Sequence, residues 1–291
     1  MPEYPDLEVY KDQIETRLRS RVLRALRVRH PFVLRSVTPP PAEFSGRRVV
    51  TVERIGKRLV LGFDGDRFAA LHLMLLCRLA WLAPGAKVRA QTLVAFDFEH
   101  GSLAMTESGS KRRAQLHLAS GRDALLRLER GGMELFQVDL AEFAARIGAE
   151  RHTLKRVLVD PAVVAAVGNA YSDEILFRAC LSPLAIAADL RAAEVERLFN
   201  ACRSVLDHWR RRLALEAGDE FPRQVTAFRP DMAVHGRFGQ ACRTCGGLIQ
   251  RIVRGEQECN YCPGCQTAGK LLPDRLLSKL LRDSWPDQVS E

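Results

Sequence analysis

No apolar run in this chain approaches the ~20 residues needed to cross a bilayer, and stretches such as Leu71 to Leu76 are short and soon broken by charge. The start carries no secretory leader pattern, and neither an internal repeat nor a low-complexity segment is present. A membrane span, export and a repeat array are therefore not expected; a soluble cytoplasmic protein is. Disulfides are not expected either, because a reducing cytoplasm disfavours them and five of the eight cysteines crowd between Cys242 and Cys265. What is present sets other bounds. At 47% hydrophobic content wholesale disorder is excluded, and 291 residues exceed one average domain, which predicts two or three units. Lys and Arg number 44 against 35 Asp and Glu, a formal charge of +9 that suits an anionic partner.

The periodicity changes along the chain. Between residues 7 and 22, Leu7, Tyr10, Ile14 and Leu18 recur at spacings of three and four, the stripe of an amphipathic helix, and Pro5 suits its start. From about 47 to 130 the pattern becomes short alternating runs. In RRVVTVERIGKRLVLGF, Leu59, Leu61 and Phe63 fall on one face after a turn containing Gly56, so a mostly β domain is expected. Beyond about 139 the period is helical again. Asp139 caps LAEFAARI, Asp160-Pro161 reads as a second start before AVVAAV, and a longer helix around 192 to 212 carries Val195, Leu198, Phe199, Cys202, Val205, Leu206 and Trp209. AGDEFPRQVTAFRPD has loop character, and the tail LLPDRLLSKLLRDSW reads as one more helix.

The strongest local signal is CRTCGGLIQRIVRGEQECNYCPGC. Cys242 and Cys245 are separated by two residues, as are Cys262 and Cys265, with 16 residues between the pairs. Two such knuckles supply four thiolates to one tetrahedral Zn²⁺ across a hairpin. A four-thiolate site has no open position, so the metal would organise structure and would not activate water. Cys259 also lies three residues before Cys262; its plainer reading is a spare thiol. In VVAAVGNAYSDEILFRA, Gly168 and Asn169 interrupt one helical pattern and begin another, and a helix start of this kind is either an ordinary capped turn or a phosphate site.

Together these pieces resemble the formamidopyrimidine-DNA glycosylase and endonuclease VIII family of bifunctional base-excision repair enzymes. MPEYPDLEV resembles the family's N-terminal motif, GKRL around Lys57 its lysine turn, VGNAYSDEILFRA its helix-two-turns-helix signature, and VHGRFGQACRTCGG leading to CPGCQ its zinc finger, all in the family's order from residue 2 to about 266. The resemblance implies an α+β multidomain fold: an N-terminal β-sandwich with flanking helices over 2–130, a helix-two-turns-helix α domain over 131–232, a zinc-finger β-hairpin over 233–268 and a tail over 269–291. It also implies a monomer that works on the nucleoid.

The same resemblance implies roles. Loss of Met1 would leave Pro2 as a secondary amine, and an α-amino group near pKa ~8 is a far better neutral nucleophile than a lysine near ~10.4. Pro2 would attack the sugar of a damaged nucleotide, Glu3 would serve as the acid–base group, and Lys57 would act as proton donor and phosphate contact in the strand-cutting elimination. Lys155, Gly168 and Asn169 would position double-stranded DNA carrying damaged bases or abasic sites through its backbone, and Arg113 in SGSKRRAQL would help fill the gap left by an extruded nucleotide. Taken singly, plainer readings hold: Glu3 as a favourable charge at a helix start, and Lys57 and Arg113 as solvated charges.

Departures from the family pattern bear on activity. Asp6 stands where glutamate is usual, Leu75 replaces an intercalating methionine, and Ala114 follows Arg113 in place of a phenylalanine wedge. Gln257 occupies the position of the finger arginine, five residues before the third metal-binding cysteine, with Arg254 three residues earlier. Neutral glutamine lacks the charged fork of arginine. Two alternatives to a glycosylase with lyase activity therefore stand: a damaged-DNA-binding protein with little chemistry, and an RNA-associated zinc-ribbon protein, which leaves MPEYPDLEV without purpose.

Overall fold

The computed structural model describes residues 1–109, 112–222, 229–255 and 257–273. The chain is mixed α+β and divides into two compact units, one formed by residues 1–130 with 209–226 and the other by 131–208 with 227–291.

In the first unit, helix α1 (Tyr4–Leu18) is followed by strands β1 (Ala25–Val28), β2 (Val49–Ile55), β3 (Arg58–Phe63), β4 (Arg67–His72), β5 (Cys77–Leu82), β6 (Thr92–Phe98), β7 (Gly101–Glu107) and β8 (Gln115–Ser120), then the short helix α2 (Arg122–Leu126). They form two four-stranded sheets, β1-β6-β7-β5 and β2-β3-β4-β8, with antiparallel neighbours throughout. Leu59, Leu61 and Phe63 are almost fully buried and belong to one large core with Leu71, Phe96, Leu103 and Met105. Burying each side chain of that size contributes roughly 1.5–3 kcal/mol. The expected stripe of α1 closes the same core, since Leu7, Tyr10, Ile14 and Leu18 are all buried. That helix stops at Leu18, short of residue 22, and Ser20 takes a left-handed φ of 64° just beyond it. β1, outside the β region expected from the sequence, pairs along β6.

The opposite face of β2-β3-β4-β8 is divided. Val60, Phe68, Ala70 and Ala119 make a small core beneath Leu125 of α2. Further along the same face, Arg58 pairs across from His72 and His72 across from Gln115.

The second unit holds α3 (Leu140–Gly148), α4 (Leu154–Val159), α5 (Asn169–Ala179), residues 192–208 of α6 (Ala192–Ala217), the hairpin β9 (Gln250–Arg254) with β10 (Gln257–Tyr261), and the single turn α7 (Pro263–Gln266). Asp139 caps α3 as expected, accepting the N–H of Glu142 at 2.9 Å. AVVAAV is not helical, contrary to expectation. Met133 donates to the carbonyl of Val163 and accepts from the N–H of Ala165, both at 2.9 Å, so a backbone pairing with a distant segment replaces the helical bonds. Ala166 adopts a φ of 61°, and a Cβ on Gly132 would stand 2.5 Å from the carbonyl oxygen of Pro161. The tail expected to be helical lies outside the described residues from 274 onward. Among the described residues no helix is long and apolar enough to cross a membrane.

Candidate functional site

The first cluster is built around the start of α1. Glu3 is the N-cap residue in extended conformation and Pro5 stands in the first turn, where its fixed φ is suited. Glu3 and Asp6 are only 3% and 2% exposed. The N–H of Glu3 donates to Oδ2 of Asp6 at 3.1 Å, and the Glu3 carboxylate faces the N–H of Asp6, the reciprocal pairing of a capping box. The shorter acid at position 6 thus makes its hydrogen bond within the helix turn. Pro2 is buried. Around the amine of Met1, burial pushes its pKa below the ordinary value. Glu3 and Asp6 pull it up, and Arg78 and Lys57 press it down.

Lys57 occupies the two-residue turn closed by the Ile55–Arg58 pair, with Gly56 at a φ of 54° where a side chain would be strained. Burial lowers the Lys57 ammonium, against the attraction of Glu3. The helix start is braced to β2 by Arg54, whose Nε donates to Glu8 at 2.7 Å while its guanidinium lies 4.9 Å from the Tyr4 ring centre.

Arg78, which the sequence did not single out, joins this cluster at the start of β5. Its Nη1 donates to the carbonyls of Leu75 and Cys77 at 2.9 and 2.7 Å, holding the β4–β5 turn that presents Leu75, 60% exposed, and Leu76. Arg78, Leu76, Thr92, Thr106 and Phe221 line a cavity of about 810 Å³. Arg113 is exposed, and its backbone N–H donates to both carboxylate oxygens of Glu107 at 3.0 Å. Ala114 is buried in the sandwich core and presents nothing outward.

The second cluster surrounds the start of α5. Gly168 is its N-cap residue and Asn169 its first residue. Asn169 Nδ2 donates to the carbonyl of Glu258 in β10 at 2.8 Å. Lys155 in α4 donates to the carbonyl of Asn169, to Ser172 Oγ and to Asp173 Oδ1, at 2.7, 2.7 and 2.5 Å, which employs all its ammonium protons. The other oxygen of Asp173 accepts from His235 Nδ1 at 2.7 Å and from the N–H of Asn260 at 3.0 Å. Glu174 accepts the backbone N–H groups of Ala233, Val234 and His235 at 2.7–3.0 Å. Nothing in the helical pattern of the sequence signals these two buried carboxylates; apart from Lys155, their partners named above lie some sixty to ninety residues away.

The third cluster is the set of four cysteines. The sulfurs of Cys242, Cys245, Cys262 and Cys265 all lie within 4.8 Å of one another, Cys242–Cys265 at 3.9 Å and Cys245–Cys262 at 3.3 Å. Thiolates at ~2.3 Å from a tetrahedral metal stand roughly 3.8 Å apart, so this donor set fits one ion. Cys259 is outside the cluster; it is buried, and burial followed by the nearby Asp173 pushes its thiol well above the usual range. Register places position 257 directly across from position 254 near the hairpin tip.

Comparison with known proteins gives one consistent pattern. Residues 1–129 match the formamidopyrimidine-DNA glycosylase N-terminal domain and residues 133–218 the formamidopyrimidine-DNA glycosylase H2TH domain. A formamidopyrimidine-DNA glycosylase of Laribacter hongkongensis is 31% identical over 276 residues, covering 91% of this chain and 100% of the relative. One from Acidothermus cellulolyticus is 32% identical over 282 residues, covering 91% and 97%. The crystal structure of Lactococcus lactis Fpg with abasic-site-containing DNA superposes with a TM-score of 0.80 at 21% identity, covering 91% of this chain and 99% of that one.

Proposed function

The chain belongs to the formamidopyrimidine-DNA glycosylase family and has its DNA glycosylase function, and we propose that it removes oxidised or ring-opened bases from double-stranded DNA and then cuts the strand at the abasic site. Removal of Met1 leaves the Pro2 nitrogen as a secondary amine. Its lone pair bonds to the sugar C1′ as the bond from C1′ to the base breaks, and the base departs with that electron pair and takes up a proton. Loss of the N–H proton restores the nitrogen lone pair; Glu3 protonates the ring oxygen, the C1′–O4′ bond opens, and that lone pair completes an iminium. This cationic sink acidifies C2′; loss of the C2′ proton places its electron pair in a C1′–C2′ enamine, and return of the pair as a C2′–C3′ double bond restores the iminium and expels the 3′ phosphate, breaking the strand. Lys57 donates a proton and contacts phosphate in this elimination.

The observation that carries this reading is the convergence of the chain terminus, Glu3, Asp6, Lys57 and Arg78. Loss of Met1 leaves the Pro2 amine beside these groups, and an α-amino group near pKa ~8 is partly neutral, hence nucleophilic, near pH 7. The cavity beside Arg78 is of a size that accommodates a purine, and the expelled base is placed there. Leu75 and Arg113 fill the vacated stack. Gly168 and Asn169 meet backbone phosphate at the start of α5 with Lys155 steadying them from behind, and Arg254 and Gln257 face DNA from the hairpin. The ion held by Cys242, Cys245, Cys262 and Cys265 is zinc in a structural role.

Borohydride reduction in the presence of an abasic or 8-oxoguanine duplex tests the chemistry. A covalent adduct that disappears in Pro2→Gly, with metal content unchanged and Met1 absent by intact mass, is the expected result. Duplex binding without any adduct rejects the catalytic assignment.

A further inference from the structure

One cation at the reacting end of the first unit has no task in the reaction. Along β5, Cys77 and Leu79 are buried in the sandwich core, so Arg78 and Ala80 share the outer face, with Thr106 and Ala104 directly across on β7. Ala80 and Ala104 carry only methyl groups, and the cavity of about 810 Å³ lies over them, with Arg78 in its wall. Arg78 is fixed there through Nη1 alone, which donates to the carbonyls of Leu75 and Cys77. Among the described residues its Nε and Nη2 meet no acceptor, and no carboxylate pairs with it. The other groups of the wall do not supply one. Asp219 and Glu220 follow Gly218, whose carbonyl is held by Gln13 at 2.8 Å, and Arg17 grips the carbonyl of Asp219 at 2.7 Å. These acids are thus tied toward the C-terminal end of α1, roughly 15–20 Å along the helix from its start at 1.5 Å per residue. Arg78 bears instead on the amine at the chain terminus. Arg17 also lines the cavity, but its guanidinium is taken up by Gln13 and Asp219.

A base that leaves with the electron pair of its bond to C1′ is an anion until it takes up a proton, and its charge spreads from the ring nitrogen onto any conjugated carbonyl oxygen. Donors already fixed where such charge develops stabilise the transition state without reorganising. Arginine suits this task and no proton transfer, because it keeps its charge at any working pH and offers N–H groups in a rigid fork. We propose that Arg78 is a catalytic residue for base expulsion: its free N–H groups donate to a carbonyl oxygen of the departing base and hold the negative charge there. The C1′–N electron pair passes to the base, no proton leaves Arg78, and a solvent proton then neutralises the base nitrogen. The residue thereby favours bases whose leaving nitrogen is conjugated to a carbonyl, as in oxidised and ring-opened purines, over amino-substituted bases with no carbonyl. This rests on the DNA glycosylase reading and gives it a basis for selecting the base.

The test sets single-turnover release of 8-oxoguanine from a duplex beside borohydride trapping on a duplex that already holds an abasic site, where no base remains to be expelled. With the full chain, R78Q should slow release about 100–1,000-fold, the usual loss when one transition-state donor is removed, and should slow trapping by a far smaller factor. R78K keeps a charge without the fork and should fall between parent and R78Q. Added guanidinium ion should restore part of the release in R78A and leave its trapping as it was. An arginine that served only to hold the β4–β5 turn would lower release and trapping together and would not respond to guanidinium. Parallel losses in R78Q, or undiminished release, overturn the inference; if R78Q does not fold, parallel losses in R78K do so. If the unaltered chain releases the base and forms the adduct while the losses run parallel, the glycosylase reading survives alone. Trapping without any release of base overturns the inference and leaves only the lyase step, and an unaltered chain that neither traps nor releases brings down both.

Discussion

Asp6 accepts the backbone N–H of Glu3 at 3.1 Å, so the acid that caps α1 is held in place by a second acid one helical turn later. Both are almost wholly shielded from water. Asp6→Ala leaves a buried N–H without its acceptor, a loss of about 1–3 kcal/mol. Chemical denaturation should register that loss, and adduct formation should slow with it. Asp6→Glu restores an acceptor one methylene further out and should recover most of both.

Glu8 supplies a pH test of the same region. Burial pushes its carboxyl up, but hydrogen bonds from Lys11 and Arg54 at 2.6 and 2.7 Å outweigh this and hold it below the ordinary glutamate range. A carboxyl lowered by folding adds stability above its unfolded value of ~4.3 and loses it as pH falls through the folded one. The unaltered chain should therefore be the more stable near neutrality, and its advantage over Glu8→Gln should close in melts below about pH 4.

Lys155 and Asp173 form a buried pair at 2.5 Å, with no exposure at all of the Asp173 side chain. Lys155→Ala leaves that carboxylate with His235 and the N–H of Asn260 but no fixed cation, and breaking a buried pair from one side costs about 3–5 kcal/mol. The double variant Lys155→Met with Asp173→Asn should be less damaged than Lys155→Ala, which a denaturation double-mutant cycle measures directly.

The four-cysteine site should bind one zinc per chain by elemental analysis. Cys262→Ser should lose the metal together with duplex affinity, because structural zinc in such hairpins contributes roughly 10–16 kcal/mol of binding free energy to folding. Cys259→Ser should retain metal, since its sulfur stands apart from the cluster.

Much of this was legible before any coordinates. The three-and-four spacing of Leu7, Tyr10, Ile14 and Leu18, the inward alternation of Leu59, Leu61 and Phe63 after Gly56, the Asp139 cap and the paired cysteines each encode their structure locally. AVVAAV misled because apolar residues after Asp-Pro satisfy every local rule for a helix, while Met133, thirty residues earlier, claims the backbone bonds. Arg78 was illegible for a related reason: its importance comes from the carbonyls it grips and the amine it neighbours, neither of which a one-dimensional pattern reveals. Lys155 was expected at DNA, yet its ammonium is spent on Asn169, Ser172 and Asp173, the latter two buried on a helix whose sequence gives no hint of it.

Asp173, Glu174 and Asn169 each reach from one helix into the cysteine-bearing segment, gripping the backbone of residues 233–235, 258 and 260. The finger is therefore no interchangeable cassette. A hairpin grafted from a relative would seat properly only if its recipient helix offered the same two acids and the same amide, so these distant positions are expected to change together, as one inherited block, wherever either side drifts.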